Sequence, residues 1–189
     1  MNVLIACEKS GRVREAFIKQ GHNATSIDLY PTDIPGNHII GDVINHIASN
    51  STYDLMIAFP PCTHLAVSGA RWFKNKIPQQ KAAIKFFLDV INVPICKIAV
   101  ENPVSIMSTH YRKPDQIIQP FQFGDPYKKT TCLWLKNLPK LKHTNIVTPR
   151  IVTFKDGSRF SADYGWSTNK IKRATTYQGI ADAMAVQWG

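Results

Sequence analysis

Leu55-Met56-Ile57-Ala58-Phe59-Pro60-Pro61-Cys62-Thr63 and Ile98-Ala99-Val100-Glu101-Asn102-Pro103 decide the fold of this chain. Each opens as a short apolar run and stops at proline, the pattern of a buried strand that ends where a ladder donor is lost. Cys62 and Glu101 then stand at the carboxyl ends of two strands, which is where open α/β sheets hold their ligands. They are a nucleophile and an acid, 39 positions apart, and together they suit attack on a pyrimidine ring.

Working outward, Val3 to Cys7 reads as a first strand, Glu8-Lys9-Ser10-Gly11 as a tight turn, and Arg12 to Gln20 as a helix. Val13, Phe17 and Ile18 form its apolar face and Gly21 stops it. Ala24 to Leu29, ending at Asp28, and His38 to Ile40, ending at Asp42, follow as strands, and Asp54 to Phe59 is the fourth. Gln79 to Ile91 has helical periodicity, with Ala83, Phe86, Phe87, Val90 and Ile91 toward a core, and leads into the strand Lys97 to Val100. Thr130 to Leu135 is a further strand, Val152 to Phe160 a hairpin about Asp156-Gly157, and Gly179 to Trp188 a closing helix with Ile180, Met184 and Val186 partly inward. This alternation predicts an α/β fold, a mostly parallel sheet flanked by helices and joined by right-handed crossovers.

The 189 residues hold no long linker, internal repeat or low-complexity tract, so one domain over 1–189 is expected. A hydrophobic content of 44% argues against disorder, and no apolar run reaches the length of a membrane span. Met1 to Ala6 carries no basic leader and reads as structure, which points to a cytoplasmic protein. The four cysteines, Cys7, Cys62, Cys96 and Cys132, form no C-x-x-C pair, so neither a zinc site nor a disulfide framework is expected. Three of them read as buried strand thiols; Cys62, after two prolines, is the exception. Residues 1 to 95 carry 9 basic and 7 acidic side chains, and residues 96 to 189 carry 14 and 6. Such a basic second half fits either a polyanion partner or a solvated surface.

A nucleotide-like cofactor needs a glycine turn for close backbone approach and carboxylates that accept from ribose and adenine. Gly11, Asp28 and Asp42 are of those types, and Gly11 to Asp28 is a step of 17 positions. Glu8 could accept from a cofactor ammonium, or the segment could be an ordinary strand-to-helix turn. Singly, Cys62 is as readily an inert thiol and Glu101 a helix-capping carboxylate.

Pro60-Pro61-Cys62 followed by Glu101-Asn102-Pro103 resembles the DNA cytosine-5 methyltransferases, whose signatures are a Pro-Pro-Cys loop and a later Glu-Asn-Val. Thr63 to Gly69 resembles the mobile catalytic loop of that family. Phe123-Gly124-Asp125-Pro126-Tyr127-Lys128-Lys129-Thr130-Thr131 is similar to Gly-x-Pro-Gln-x-Arg-x-Arg, with Lys129 and Thr131 where the arginines stand. Tyr177-Gln178-Gly179-Ile180 is similar to Gln-x-Gly-Asn without its asparagine. The chain departs from the pattern at Glu8 and Ser10, which replace two glycines, at Ala66, which replaces a phosphate-binding serine, and at Thr131, where the second arginine would reach the cytosine 2-oxygen.

The resemblance implies a Rossmann-like fold binding S-adenosylmethionine, with Asp28 on the ribose, Asp42 toward adenine, and Glu8, Ser10, Gly11 and Pro60 along the same site. It implies that Cys62 adds to carbon 6 of cytosine while Glu101 holds N3 and the exocyclic amine. Ser68, Arg71, Lys128 and Lys129 become DNA contacts, with Lys74, Lys76, Lys170, Lys172 and Arg173 as further basic candidates. Trp72 could pack on DNA or on the core. Residues 137–172 stand where larger relatives insert a target-recognition domain, as in compact phage and prophage versions. The expected protein is therefore a monomer without metal, in a bacterial or phage-infected cell, acting on duplex or single-stranded DNA. The same chemistry on a free pyrimidine nucleotide, or a non-catalytic protein keeping the fold, are the competing readings.

Overall fold

In the computed structural model, which describes residues 1–50, 52–154, 156–161 and 175–189, strand and helix alternate from the first residues onward. β1 (Asn2–Ala6) leads through α1 (Arg12–Lys19) to β2 (Asn23–Asp28) and β3 (His38–Ile40), then α2 (Val43–Ser49) and β4 (Leu55–Ala58). A 3₁₀ segment (Val67–Asn75) precedes α3 (Ile77–Ile91) and β5 (Lys97–Asn102). The single turn α4 (Met107–His110), β6 (Gln116–Ile118), β7 (Thr131–Lys136), a small hairpin of β8 (Ile151–Thr153) and β9 (Arg159–Ser161), and α5 (Gln178–Trp188) follow.

The main sheet has seven strands in the order β3-β2-β1-β4-β5-β7-β6. From β3 to β5 all neighbours are parallel, whereas β7 runs antiparallel to both β5 and β6. The expectation of a mostly parallel sheet therefore holds, with β7 as the one reversed strand. No crossover helix separates β6 from β7, and a direct return requires antiparallel pairing. The short β6 is an additional strand that the apolar pattern did not mark. Strand order reverses at β1, since β2 and β3 lie on one side and β4 and β5 on the other, which opens a crevice at the carboxyl ends of β1 and β4.

Side-chain alternation builds the two halves of the core. Val3, Ile5, Leu55, Ile57 and Ala99 face α1 and α5, where Val13, Phe17, Ile180, Met184 and Trp188 cover them. Leu4, Ala6, Met56, Ala58, Ile98 and Val100 face α2 and α3, among Val43, Ile47, Phe87, Val90 and Ile91. Strands buried on both faces read as continuous apolar runs, so Leu55 to Ala58 carries no polar alternation. Trp134 on β7 meets the Phe87 ring edge-on at 5.2 Å and donates its indole N–H to the Arg112 carbonyl.

Several side chains differ from the sequence reading. Ile18 is 40% exposed, because the inward stripe of α1 runs through Val13, Ala16 and Phe17 and includes Arg14. Arg14 is fully buried; its guanidinium donates to Ser26 Oγ (3.0 Å) and to the Ile34 and Pro35 carbonyls (2.7 and 3.2 Å), and it pairs with Glu15. It thereby ties the loop after β2 to α1, a charge tolerated inside because its donors are satisfied. Val186 is 62% exposed, and the buried face of α5 is Ile180, Ala181, Ala183, Met184, Ala185 and Trp188. Of the expected buried thiols only Cys132 is buried; Cys96 is exposed before β5, and Cys7 sits half-buried just past β1.

Candidate active site

β4 and β5 are neighbours in parallel register, with Ala58 opposite Val100, so the segments that follow them emerge side by side. Cys62 lies in the loop after β4 and is exposed, and Glu101 lies near the end of β5. Because Asn102 points to the opposite face from Glu101, its buried side-chain amide can donate to the Pro60 carbonyl at 2.9 Å. That bond ties the proline loop to β5. Beyond the cysteine, Leu65 and Ala66 N–H groups donate to the Cys62 carbonyl (3.0 and 2.9 Å). Val67 N–H donates to the Val104 carbonyl, and Ile106 N–H to the Leu65 carbonyl, both at 3.0 Å. The segment expected to be a mobile loop is thus pinned at its start to the turn after β5, and from Val67 it continues as a 3₁₀ helix.

Glu101 shares the face of Ala99, which is the α5 side of the sheet, and there it lines a cleft with Lys129, Thr131, Thr176, Tyr177, Ile180 and Met184. Burial pushes its carboxyl above the ordinary glutamate range, and the nearby Lys129 ammonium partly offsets that rise. The Lys129 Nζ lies 5.7 Å from the Tyr177 ring centroid, and Tyr127 packs on Tyr177 at 5.5 Å. Cys132, across the ladder beside Glu101, is pushed up to about 11 by burial and then by the Glu101 charge, which keeps it a neutral thiol.

The first turn of α5 forms one wall of this cleft and is locked to the 123–129 loop. Gly179 N–H donates to Asp125 Oδ2 at 2.9 Å, and a Cβ on Gly179 would fall 1.8 Å from the Phe123 carbonyl oxygen. Only glycine allows that approach. Gly179→Ala is therefore expected to destabilise the protein by about 1–3 kcal/mol, the usual range for overpacking. Denaturant unfolding checks this; a midpoint equal to that of the unchanged protein would mean that the helix start can shift without cost.

At the switch point the sequence-predicted acids converge. Burial and then the charges of Asp28 and Asp42 push the Cys7 thiol, just past β1, up to about 12. Asp28 Oδ1 accepts from Tyr30 N–H at 3.1 Å, and Asp42 caps α2 by accepting from Asn45 N–H at 2.9 Å. Leu29 and Tyr30, beside Asp28, are 67% and 64% exposed. Glu8 is occupied differently from a cofactor contact: its buried Oε1 accepts from Val13 N–H (2.8 Å) and Ser10 Oγ (2.9 Å), and Oε2 from Arg14 N–H (3.3 Å). It serves the unsatisfied donors of the α1 N-terminus, which Gly11 cannot cap with a side chain. Gly11 itself has φ 74°, and a Cβ there would crowd Arg14, Thr32 and Ile34, so both the left-handed backbone and the packing of the turn call for glycine.

Of the expected DNA contacts, Ser68 and Arg71 lie on the 3₁₀ segment, which buries none of its side chains, and Lys128 and Lys129 lie on the loop before β7. Trp72 is exposed and does not join the core. Lys170, Lys172 and Arg173 lie outside the described residues, as does most of the second part of the 137–172 segment. Sequence reasoning assigned no role to Arg14, Asn102 or Tyr177. The latter two stood inside quoted motifs, but which groups they reach depends on pairing between distant strands.

Six strands in one direction with an antiparallel strand inserted before the last, and acidic groups gathered at the switch point, define the Rossmann-like fold of S-adenosylmethionine-dependent methyltransferases. Among solved structures, the chain is similar to an E. coli prophage-encoded protein described as a DNA modification methyltransferase, with a TM-score of 0.51 and 15% identity over 78% of this chain and 52% of that one. The chain spans about half the length of that protein. A mutant of Spodoptera frugiperda DNMT2 aligns with a TM-score of 0.44 and 13% identity over 79% of this chain and 55% of that one, a fit too loose to build on. No protein-family model and no curated protein matches the sequence. At these identities the likeness establishes the fold, and function rests on the residues of the site.

Proposed function

We propose that the protein is a DNA cytosine-5 methyltransferase. The observation that carries the reading is the pair of neighbouring parallel strands β4 and β5, with Cys62 in the loop after β4, Glu101 near the end of β5, and the Asn102 amide bonded to the Pro60 carbonyl. Cytosine carbon 5 is a poor nucleophile until a thiolate adds to carbon 6. Cys62 forms that bond, and a thiol is suited to it because its anion both attacks and leaves readily. Glu101, whose carboxyl is raised by burial toward its acid form, gives a proton to N3 as electrons enter the ring and accepts from the exocyclic amine. Departure of Cys62 with loss of the carbon 5 proton restores the aromatic ring.

S-adenosylmethionine supplies an electrophilic methyl group when bound. The residues at the switch point fit it: Asp28 retains Oδ2 for a ribose hydroxyl, Asp42 stands beside it toward adenine, and exposed Leu29 and Tyr30 offer apolar surface to a planar ring. Ser10, Gly11 and Pro60 belong to the cofactor site in this reading, while Glu8 is committed to α1. Asp28→Ala is expected to weaken S-adenosylmethionine binding by about 1.5–3 kcal/mol, the loss typical of a hydrogen bond to a charged group. Calorimetry reads this directly, and equal affinity in the variant would put the donor elsewhere.

DNA is the substrate in this reading, held by Ser68, Arg71, Lys128 and Lys129, with one domain over 1–189 and 137–172 as a reduced target-reading insertion. The test is incubation with labelled S-adenosylmethionine and, separately, duplex DNA, single-stranded DNA and cytosine nucleotides. Label on the polymer at cytosine carbon 5 is the expected result. Label only on the nucleotide would make the substrate a monomer, and none on any substrate would leave a binding protein that keeps the fold.

A further inference from the structure

The 3₁₀ segment Val67–Asn75 buries none of its side chains among the described residues. Trp72 is 55% exposed, and Val67 on the same segment and Ile77 just after it are exposed as well. The Arg71 guanidinium lies 5.3 Å from the Trp72 ring centroid, so one indole face carries a cation while more than half of the residue's surface is open to water. Between Asp54 and Asp89 the sequence has no acidic residue, while Arg71, Lys74, Lys76, Lys81 and Lys85 are basic. Lys85 is engaged with Asp89 at 2.6 Å; the other four leave the segment strongly positive. Apolar aromatic surface interleaved with cations matches a ligand that is planar, apolar on its faces and joined by phosphates.

A duplex presents phosphates and groove edges to such a surface and keeps its base faces stacked on one another. A single strand presents the faces themselves. The backbone of the segment is anchored through Val67 to Val104, next to the Cys62 turn, and at about 2 Å per residue Trp72 lies roughly 10 Å further along the 3₁₀ axis. The platform is therefore within a nucleotide or two of the candidate nucleophile.

We propose that Arg71 and Trp72 form a stacking platform for an unpaired base, so that the protein takes single-stranded DNA in preference to duplex. The inference rests on the reading of DNA as substrate and adds the strandedness of that substrate. Its test separates binding from chemistry: fluorescence anisotropy of a labelled oligo-dT, which contains no cytosine, is measured without cofactor against a duplex of equal length.

The single strand is expected to bind more tightly than the duplex, and Trp72→Ala to weaken it about ten- to a hundred-fold, the range for loss of one stacked base. Trp72→Phe, which keeps an aromatic face, is expected to stay within about three-fold of the unchanged protein. Trp72 supports no core packing, so melting temperature should not move in either variant. Tighter duplex binding, or unchanged oligo-dT affinity in Trp72→Ala, overturns the platform. If Trp72-dependent binding is found but no substrate is methylated, the chemistry fails and the platform stands; if duplex cytosine is methylated as fast in Trp72→Ala as in the unchanged protein, the reverse holds.

Discussion

Cys62→Ser is expected to lower methyl transfer to cytosine by more than about a thousand-fold, in line with the loss when a covalent nucleophile is removed from an enzyme. A serine hydroxyl near neutral pH is almost wholly un-ionised and cannot add to carbon 6. The fold should be untouched, because Cys62 is exposed and the turn around it is held by its carbonyl, which serine retains; surface substitutions of this kind shift stability by about 0.5 kcal/mol or less. Single-turnover transfer and a thermal melt on the same preparation decide the matter. Turnover comparable to that of the unchanged protein would remove Cys62 as nucleophile, and a lower melting temperature would show a structural role.

Glu101→Gln is expected to do two opposite things. The amide still accepts from the exocyclic amine and donates toward N3, so substrate binding should persist, but it cannot give up a proton, and kcat should fall about 10²- to 10⁴-fold. Stability should rise, and only in a particular pH window. Burial, partly offset by Lys129, raises the folded-state pKa of Glu101 above its unfolded value. Below the ordinary glutamate range both states are protonated and the group contributes nothing. As pH climbs from there through the raised folded value, the folded state binds more protons than the unfolded chain, so stability falls with rising pH, and the penalty is complete above it. The glutamine variant carries no such penalty, so its advantage in chemical denaturation should be absent in acid and grow across that window. An advantage that is independent of pH would show that burial does not raise the Glu101 carboxyl.

The two apolar runs ending at Pro60 and Pro103 were readable as strands because burial on both faces leaves no polar positions to obscure them. The same property hid the direction of β7: Thr131 to Leu135 looks alike in parallel and antiparallel pairing, and only the lack of a crossover helix after β6 sets its course. Errors fell where the periodic pattern competes with local chemistry. Arg14 replaced Ile18 on the inner face of α1 because its donors found acceptors on Glu15, on β2 and in the loop after it, a compensation invisible to a hydrophobicity count.

For the site, residue types and order in the sequence brought out Cys62, Glu101, Asp28 and Asp42, since each follows an apolar run that must end at one edge of the sheet. Their roles were a different matter. Whether Glu8 faces a ligand or the α1 N-terminus depends on where the backbone of the turn leads its side chain, and the φ of 74° at Gly11 turns the helix start onto it. The raised acidity threshold of Glu101 exists only because α5, some eighty residues later, closes over β5 and brings Tyr177, Ile180 and Met184 against it. The sequence by itself determined which strands form and which reactive groups end them, because those follow from local burial and backbone restriction. Tertiary structure alone decided which of those groups share a cleft, which are consumed by helix ends and which side chains remain open to a partner, because desolvation and pairing are set by neighbours far away in the chain.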